Sequence, residues 1–316
     1  MPPVIREQKG RRLGFLPSQL SDPRRIQLRE NRFIEAYQHR GDIDLVETSH
    51  ELTKLRRADI SNMLNAIAVL QQPPMLPILY VQDPEFPLQP RIRLPDPVIP
   101  DRPFLEVIRS RRSCRAFAQR PLTLLELSSL LFSAIGETRR LSIDRGDNRP
   151  AEVSLRSIPS GGALHPTRVF AAIIQSGDPS SGIYHYHAPE HSLELVKLLL
   201  EPVKTALLAA IPIHPDVVDL DQASAIFFVT TKFWRPRTKY GPRGYRYCLQ
   251  EAGAACQNLS LASVALGLGH LVLGGFYDDE VNACLDIDGI DHAVVTAVAV
   301  GALPVKPEGA SHNVDY

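Results

Sequence analysis

An arginine-rich turn is the part of the sequence whose chemistry best suits an anion. The run Arg111-Arg112-Ser113-Cys114-Arg115 places three guanidinium groups and a hydroxyl within five residues. Arginine stays charged at any relevant pH and offers planar, paired donors to phosphate oxygens. Gathering three such groups is costly unless an anion lies among them. The turn is therefore a candidate phosphate site, although a solvated charge cluster beside a helix has the same composition.

A glycine pair between two prolines is the second candidate. Residues 157–166 read Ser-Ile-Pro-Ser-Gly-Gly-Ala-Leu-His-Pro and lead into an apolar run at 169–174. Glycine has no Cβ, so the backbone at Gly161 and Gly162 can approach a flat ligand closely and present its amides. The pattern predicts a ligand-lining loop, but as a tight turn alone it would carry no function.

A lysine and a tyrosine stand together in a segment that is dense in aromatic and basic residues. Residues 233–247 contain the pair Lys239-Tyr240 among arginines and further rings. A lysine partly removed from water has a lowered pKa, and its neutral amine can then accept a proton. From sequence chemistry alone, a solvated lysine beside a packing tyrosine remains the simpler interpretation.

The apolar pattern predicts the helices and strands that must position these residues. Thr123-Leu124-Leu125-Glu126 has the spacing of a capping box, and the apolar stripe after it predicts a helix ending at Gly136. Because strands and helices follow each other without a regular β-α-β alternation, the pattern indicates an α+β fold. Further helices are predicted at 196–211 and 247–266, strands at 169–174, 182–187, 225–231 and 293–300, and a charged loop at 137–148. Residues 271–276 are predicted as a short strand that breaks into a glycine turn.

The first hundred residues differ in composition from the rest. Helical patches are predicted at 32–39 and 59–70, and prolines then recur every few residues from 73 to 103. Such a proline-rich stretch runs extended over a surface. We therefore expect a helical extension with a proline-rich strap over residues 1–100 and a core domain over residues 101–316.

Composition limits the class of protein. The chain has 316 residues, 44% of them hydrophobic, with 35 Lys and Arg against 35 Asp and Glu. This balance favours a soluble globular protein over a general nucleic-acid binder. No apolar run reaches the roughly 18 residues of a membrane helix, and no signal segment follows Met1. We expect a cytoplasmic protein without membrane or nucleic-acid partners.

Metal and disulfide sites are not indicated. The four cysteines are widely separated and form no C-x-x-C motif. His185, His187 and His191 lie close in sequence, and the first two would share one face of a strand. No carboxylate or cysteine partner is suitably spaced. We interpret them as solvated strand histidines and expect no metal.

Six ordered segments resemble the SagB-type dehydrogenases. This group is a branch of the nitroreductase-like flavoproteins that also contains oxidases of thiazole- and oxazole-modified peptides and of cyanobactins. The resemblance implies an FMN-binding α+β fold, in which helices flank a central and mostly antiparallel sheet, and a homodimer with flavin sites at the subunit interface. The segments lie between about residues 104 and 304, at 111–117, 159–166, 182–186, 239–247, 257–259 and 274–276.

The resemblance also implies roles for individual positions. The first group, which would hold the FMN phosphate and ribityl chain, is Arg111, Arg112, Ser113 and Arg115. The second group, which would line the isoalloxazine ring, is Pro159, Ser160, Gly161 and Gly162. The third group, which would lie by its other side near the reactive nitrogen, is Leu273, Gly274 and Gly275. Lys239 and Tyr240 match a pair that takes part in proton removal, while hydride passes to FMN, in the peptide-azoline oxidases.

By this resemblance the chain is an FMN-dependent dehydrogenase that oxidises thiazoline or oxazoline rings of a peptide to azoles, with a cyclodehydratase as a partner. Two alternatives stay open. The first is a reductase of nitroaromatics, quinones or enones that is supplied by NAD(P)H. The second is a non-catalytic component of a biosynthetic complex, with the charged N-terminal extension as its docking arm.

Overall fold

The structure is a computed structural model that describes residues 45–57, 60–70, 72, 75, 86–143 and 151–304. The chain divides into two compact units, Met1–Arg57 and Ala58–Tyr316. In the first unit the described part contains helix α1 (Leu45–Leu52). The helix predicted at 32–39 lies outside the described residues, and the domain boundary predicted near residue 100 stays a prediction.

The second unit contains every candidate functional residue. Its described helices are α2 (Ile60–Leu70), α3 (Phe104–Ser110), α4 (Leu124–Ile135), α5 (Val203–Ala209), α6 (Trp234–Tyr240), α7 (Arg243–Ala265) and α8 (Asp278–Leu285). Its described strands are β1 (Arg91–Arg93), β2 (Glu137–Ile143), β3 (Ala151–Arg156), β4 (Thr167–Ile173), β5 (Gly182–His187), β6 (Ser192–Leu198), β7 (Ala225–Lys232), β8 (Leu268–Leu273) and β9 (His292–Ala302).

A central sheet organises this unit. Within the described ranges it has seven strands in the order β1-β6-β5-β4-β7-β9-β8. Every neighbouring pair is antiparallel. The α+β fold with a mostly antiparallel sheet between helices is therefore confirmed, and so are the strands predicted at 225–231 and 293–300.

Helices cover both faces of the sheet. Alternate residues of β4 and β7 enter two core clusters, so Val169 and Phe227 lie in one, while Phe170 and Phe228 lie in the other. The first cluster includes the apolar stripes of α4 and α7, and the second includes those of α5 and α8. Burial on both faces explains why these strands read as continuous apolar runs.

Helix α4 begins and ends where the sequence predicts. Thr123 Oγ1 accepts a hydrogen bond from the Glu126 amide at 3.1 Å, and the Thr123 amide donates to Glu126 Oε2 at 2.7 Å. This is the predicted capping box. Asn258 Nδ2 of α7 donates to Ser133 O at 2.9 Å, which joins the two helices that cover one face of the sheet.

Two predictions of secondary structure were wrong. Residues 137–143 form β2 rather than a charged loop, because they pair with β3 in an antiparallel hairpin. The exposed Arg140 and Glu152 lie 3.5 Å apart across this hairpin. The helix predicted over 196–211 is shorter than expected. Strand β6 continues to Leu198, and α5 begins only after Pro202.

Of the three histidines predicted to be solvated, His185 and His187 are instead buried, and His191 is partly buried. His185 Nδ1 lies 2.9 Å from Glu194 Oε2, and both side chains are buried. Glu194 also accepts from the Phe86 amide at 3.4 Å and lies 3.3 Å from Arg91 Nη2. This buried network fastens residues 86–93 of the predicted strap to the sheet edge. The described residues contain no cluster that could hold a metal ion.

His191 fastens the next part of the strap. Its Nδ1 lies 2.7 Å from the Tyr186 hydroxyl, and its Nε2 lies 2.8 Å from Ser128 Oγ and 3.0 Å from Pro95 O.

Among the helices that the structure describes, none combines the length and the apolar character that a membrane span requires.

Candidate functional site

The lysine and tyrosine of α6 lie directly on the glycine loop. Gly162 has φ +64°, and a Cβ at this position would lie 2.5 Å from Tyr240 Oη and 2.7 Å from Lys239 Nζ. A side chain at residue 162 would force both atoms to move, and the left-handed backbone at φ +64° strains any residue other than glycine. The structure therefore brings together two segments that are separated by more than seventy residues in the sequence, and it shows why the loop carries glycine there.

Lys239 is largely removed from water. Only 7% of the residue is exposed, and burial lowers the pKa of its amine. Among the described residues no acidic side chain forms an ion pair with it that would oppose this shift. Its Nζ lies 5.6 Å from the centroid of the Tyr240 ring. Burial therefore makes the neutral amine, which can accept a proton, easier to form than it is on a lysine in water.

Tyr240 is held by its own neighbours. Its ring meets that of Tyr247 edge to face, with centroids 5.0 Å apart. It also packs against Leu70, at the end of α2, and against Leu164 of the glycine loop. Helix α2 thus packs against α6 and supports Tyr240 there.

A buried glutamate that the sequence analysis missed fixes the glycine loop. Glu251 of α7 is 3% exposed, accepts a hydrogen bond from the Ser160 side chain, and receives the Thr167 amide at 3.4 Å. Ser160 Oγ in turn accepts from the His165 amide at 2.8 Å. Burial raises the pKa of Glu251, while these hydrogen bonds and the charge of Arg156 oppose the shift. The signal was present in the sequence, since Glu251 falls on the apolar stripe of its helix beside Ala252 and Ala255.

Arginines surround the base of the same loop. Arg156 donates to Thr167 O at 3.3 Å, and Arg168 donates to His165 O at 2.6 Å. The pKa of Arg156 is lowered to about 9, mainly by burial and secondly by the charge of Arg168. Burial and the charge of Arg156 lower the pKa of His165 to about 3, so its imidazole stays neutral at physiological pH. His165 therefore serves the loop as a structural group, donating from Nε2 to Ser154 O at 2.6 Å.

The arginine turn lies along the edge strand β8. Helix α3 ends at Ser110, and the chain then runs beside β8, where Ser113 forms a parallel bridge with His270 and the Cys114 amide donates to His270 O at 2.7 Å. Arg112, Ser113 and Arg115 are exposed, so an anion can reach them.

His270 is a buried polar group without a hydrogen-bond partner among the described residues. The residue is 1% exposed, and neither ring nitrogen has such a partner there. Burial, together with the charge of Arg111, lowers its pKa to about 4. An orphaned imidazole beside a guanidinium is unusual in a protein interior, because buried polar groups are normally paired. The arrangement fits a turn that is completed by a phosphate.

The third predicted segment continues β8. Leu273 is buried in the second core cluster, so only its backbone is available to a ligand. Gly274 and Gly275 are exposed, and a Cβ on either would meet no atom within 4 Å. Four residues separate His270 from Gly274, which is about 14 Å of extended chain. The arginine turn and the glycine pair therefore flank one strand at a spacing that suits an elongated ligand.

The sheet places the glycine loop, which leads into β4, and the end of β8 toward the same end of the strands. Thr167 at the start of β4 pairs with Thr231 of β7, which pairs with Ala293 at the start of β9. Leu273 at the end of β8 pairs with Ala297 of β9. The glycine loop and the end of β8 are thus three strands apart across the sheet and four residues apart along β9, which together correspond to about 19 Å.

Comparisons with known proteins agree with this architecture. A family model described as the nitroreductase family matches residues 108–302. The Methanocaldococcus jannaschii protein MJ1384, named as a nitroreductase, is 34% identical over 197 residues, which are 62% of this chain and 89% of that protein. A nitroreductase structure from Ralstonia eutropha has a TM-score of 0.53 and 23% identity, covering 72% of this chain and 94% of that one, and it shows the same fold.

A second relative has a more specific name. The microcin B17-processing protein McbC of Escherichia coli is 29% identical over 140 residues, which are 42% of this chain. The match spans about half of McbC, namely 49% of its length.

Proposed function

The chain belongs to the nitroreductase family, and we propose that it is a SagB-type, FMN-dependent dehydrogenase that oxidises thiazoline or oxazoline rings of a peptide to azoles. Members of this family typically bind FMN. The similarity to McbC, which is named for the processing of microcin B17, supports a peptide as the substrate.

The observation that carries the proposal is the position of Lys239. Its amine is buried, has a lowered pKa and faces the Gly161–Gly162 loop together with the Tyr240 hydroxyl. Converting an azoline to an azole removes one proton and one hydride from neighbouring ring carbons. Bound FMN would supply the hydride acceptor. Lys239 Nζ would take the proton, and Tyr240 would orient the ring beside it.

The described residues fit the proposed cofactor. Arg111, Arg112, Ser113 and Arg115 would bind the phosphate, with the orphaned His270 beside them. The exposed amides of Gly274 and Gly275 would donate to the edge of the ring system. The loop from Pro159 to Gly162 would line its face, held in place by Glu251. Amides near a flavin tune its reactivity without adding charge.

We also propose a homodimer that works with a cyclodehydratase. Helix α3, which precedes the arginine turn, exposes 66% of Phe104, 62% of Leu105 and 43% of Ile108. Apolar side chains exposed together on one helix support a contact with another protein surface. The cyclodehydratase proposal follows from the proposed azoline substrate, since azolines are the products of ring closure on a peptide.

The test is an absorption spectrum of the purified full-length protein under anaerobic conditions. We expect the visible bands of an oxidised flavin, bleaching of those bands by an azoline-containing peptide, and an azole product. NADPH should leave the bands unchanged. Rapid bleaching by NADPH without bleaching by the peptide would contradict this proposal.

That opposite result would favour the second candidate, a reductase of nitroaromatics, quinones or enones, which the name of MJ1384 supports. A colourless protein that takes up no added FMN would instead favour a docking component. In that case Lys239→Ala should leave the function intact, whereas deletion of the N-terminal extension should abolish it.

A further inference from the structure

An open groove of about 360 Å³ lies on the outer side of α6. It is lined by Trp234, Arg237, Thr238, Gly241 and Pro242. The first three of these residues share one face of the helix, because residues three and four apart are neighbours on a helix surface. Lys239 is buried on the other side. One short helix therefore carries the proposed base on its inner side and a groove on its outer side, less than one helical turn apart.

The groove lies in a strongly basic part of the chain. Between Asp221 and Glu251 the sequence has no acidic residue. In the same interval it has six basic residues, Lys232, Arg235, Arg237, Lys239, Arg243 and Arg246. Arg237 is exposed, and within the described part of the chain no ion pair to it is formed. Arg235 and Lys239 are buried, so the charge at the surface comes from the exposed Arg237 and the partly exposed Lys232, Arg243 and Arg246. This surface charge is complementary to an anionic ligand.

The side chains that line the groove suit a peptide with an acidic residue beside an apolar one. Trp234 exposes 38% of its surface, and its ring offers a flat apolar contact beside Arg237. Gly241 has φ +58°, and a Cβ there would meet no atom within 4 Å, so the groove stays open at the end nearest Tyr240. A guanidinium next to an exposed indole recognises a carboxylate next to an apolar side chain.

We propose that this groove binds a carboxylate-bearing segment of the peptide substrate that flanks the ring to be oxidised. The proposal rests on the proposed function and names the substrate class more closely, as an acidic peptide. Arg237 pairs with an Asp or Glu side chain of the peptide, and Trp234 packs against the residue next to it.

The test uses Trp234, the one tryptophan of the chain, as a fluorescent reporter. The FMN-loaded full-length protein is titrated with two peptides that carry an azole, the oxidised ring, so that binding is measured without turnover. One peptide has Glu residues beside the ring, and the other has Gln at the same places. We expect saturable quenching by both, with a Kd about two- to fivefold lower for the Glu peptide and a difference that shrinks at high salt.

Substitution of the arginine completes the test. Arg237→Ala should remove the preference for the Glu peptide, and Arg237→Gln should do the same if the alanine variant folds poorly. Arg139→Ala is the matched control, because Arg139 is an exposed arginine on β2 outside the groove and the charge change is equal. The control should keep the preference.

Three results would overturn the proposal: equal Kd values for the two peptides, an unchanged preference in Arg237→Ala, or displacement of the Glu peptide by inorganic phosphate at similar concentrations. Failure of the proposed function has a different signature. If the proposed function is wrong, the azoline peptide does not bleach the flavin, whereas the azole peptides still quench the fluorescence of Trp234.

Discussion

Glu251 and Ser160 are joined by a hydrogen bond between the middle of helix α7 and the glycine loop. The same carboxylate receives the amide of Thr167, where β4 begins. A single buried acid thus holds both ends of the segment that lines the proposed flavin site.

Replacing Glu251 by Ala should destabilise the protein, because the Ser160 hydroxyl and the Thr167 amide lose their acceptor in the interior. We expect a loss of about 2–4 kcal/mol in the free energy of unfolding, measured by urea denaturation. Glu251→Gln keeps an acceptor oxygen and should cost about 1 kcal/mol. Equal stability of the two variants would show that the hydrogen bonds contribute little.

Lys239→Ala should lower the turnover of an azoline peptide by a factor of about 100 to 10,000, the usual contribution of a general base. The FMN absorption spectrum should be unchanged. Lys197→Ala, on β6 away from the site, is the control and should retain full turnover. Normal turnover by Lys239→Ala would remove this residue from the mechanism.

The pH dependence follows from the lowered pKa of Lys239. A base acts in its neutral form, so the rate should rise with pH and level off above a midpoint that lies below the ordinary lysine value. The unfolded chain binds the proton more tightly than the folded one, so this residue also makes stability rise with pH between the two pKa values. The pH–rate profile and urea denaturation at several pH values check both effects. A midpoint at or above the ordinary lysine value would contradict the assignment.

Gly162→Ala should displace Tyr240 and Lys239, because the new Cβ would collide with both and the residue has φ +64°. We expect a loss of about 1–2 kcal/mol in the free energy of unfolding together with reduced turnover. Gly253→Ala is the matched control, and here we expect the free energy of unfolding to rise rather than fall. It lies within α7, is exposed, and its Cβ meets no atom within 4 Å, so it should stabilise by about 0.5–1 kcal/mol.

Arg111→Ala should weaken FMN binding about 10- to 100-fold, as expected for the loss of a charge-assisted hydrogen bond to phosphate. The pKa of His270 should rise at the same time, because the neighbouring charge of Arg111 lowers it. Fluorescence titration of FMN and NMR titration of the imidazole measure the two effects. Arg139→Ala should change neither quantity.

Local sequence signals predicted the elements with strong periodicity. The capping box at Thr123 and Glu126 and the apolar runs of β7 and β9 carry their information within a few residues. The strand β2 was missed, because charged residues on an exposed hairpin look like a loop until the partner strand is known. His185 was misjudged for a similar reason, since its partner Glu194 lies on the next strand.

The candidate site shows the same limit. The sequence indicated Gly162, Lys239 and Arg111 as separate chemical groups, and the resemblance gave them roles. Their contacts depend on tertiary structure, as the closeness of Gly162 to Lys239 shows. The position of Glu251 on the apolar stripe of its helix indicated burial, but its partners Ser160 and Thr167 are distant in sequence. The segment that packs beside His270 is equally distant, so neither residue could be given a role.

The two edges of the sheet are protected in different ways. Strand β1 has three residues and lies between Pro90 and Pro95, and proline cannot donate to a neighbouring strand. On the opposite edge, the turn that contains Ser113 occupies part of β8. The sheet therefore offers little template for edge-to-edge aggregation. Self-association of this protein should proceed through helical surfaces such as α3, and fibril formation through its native strands should be suppressed.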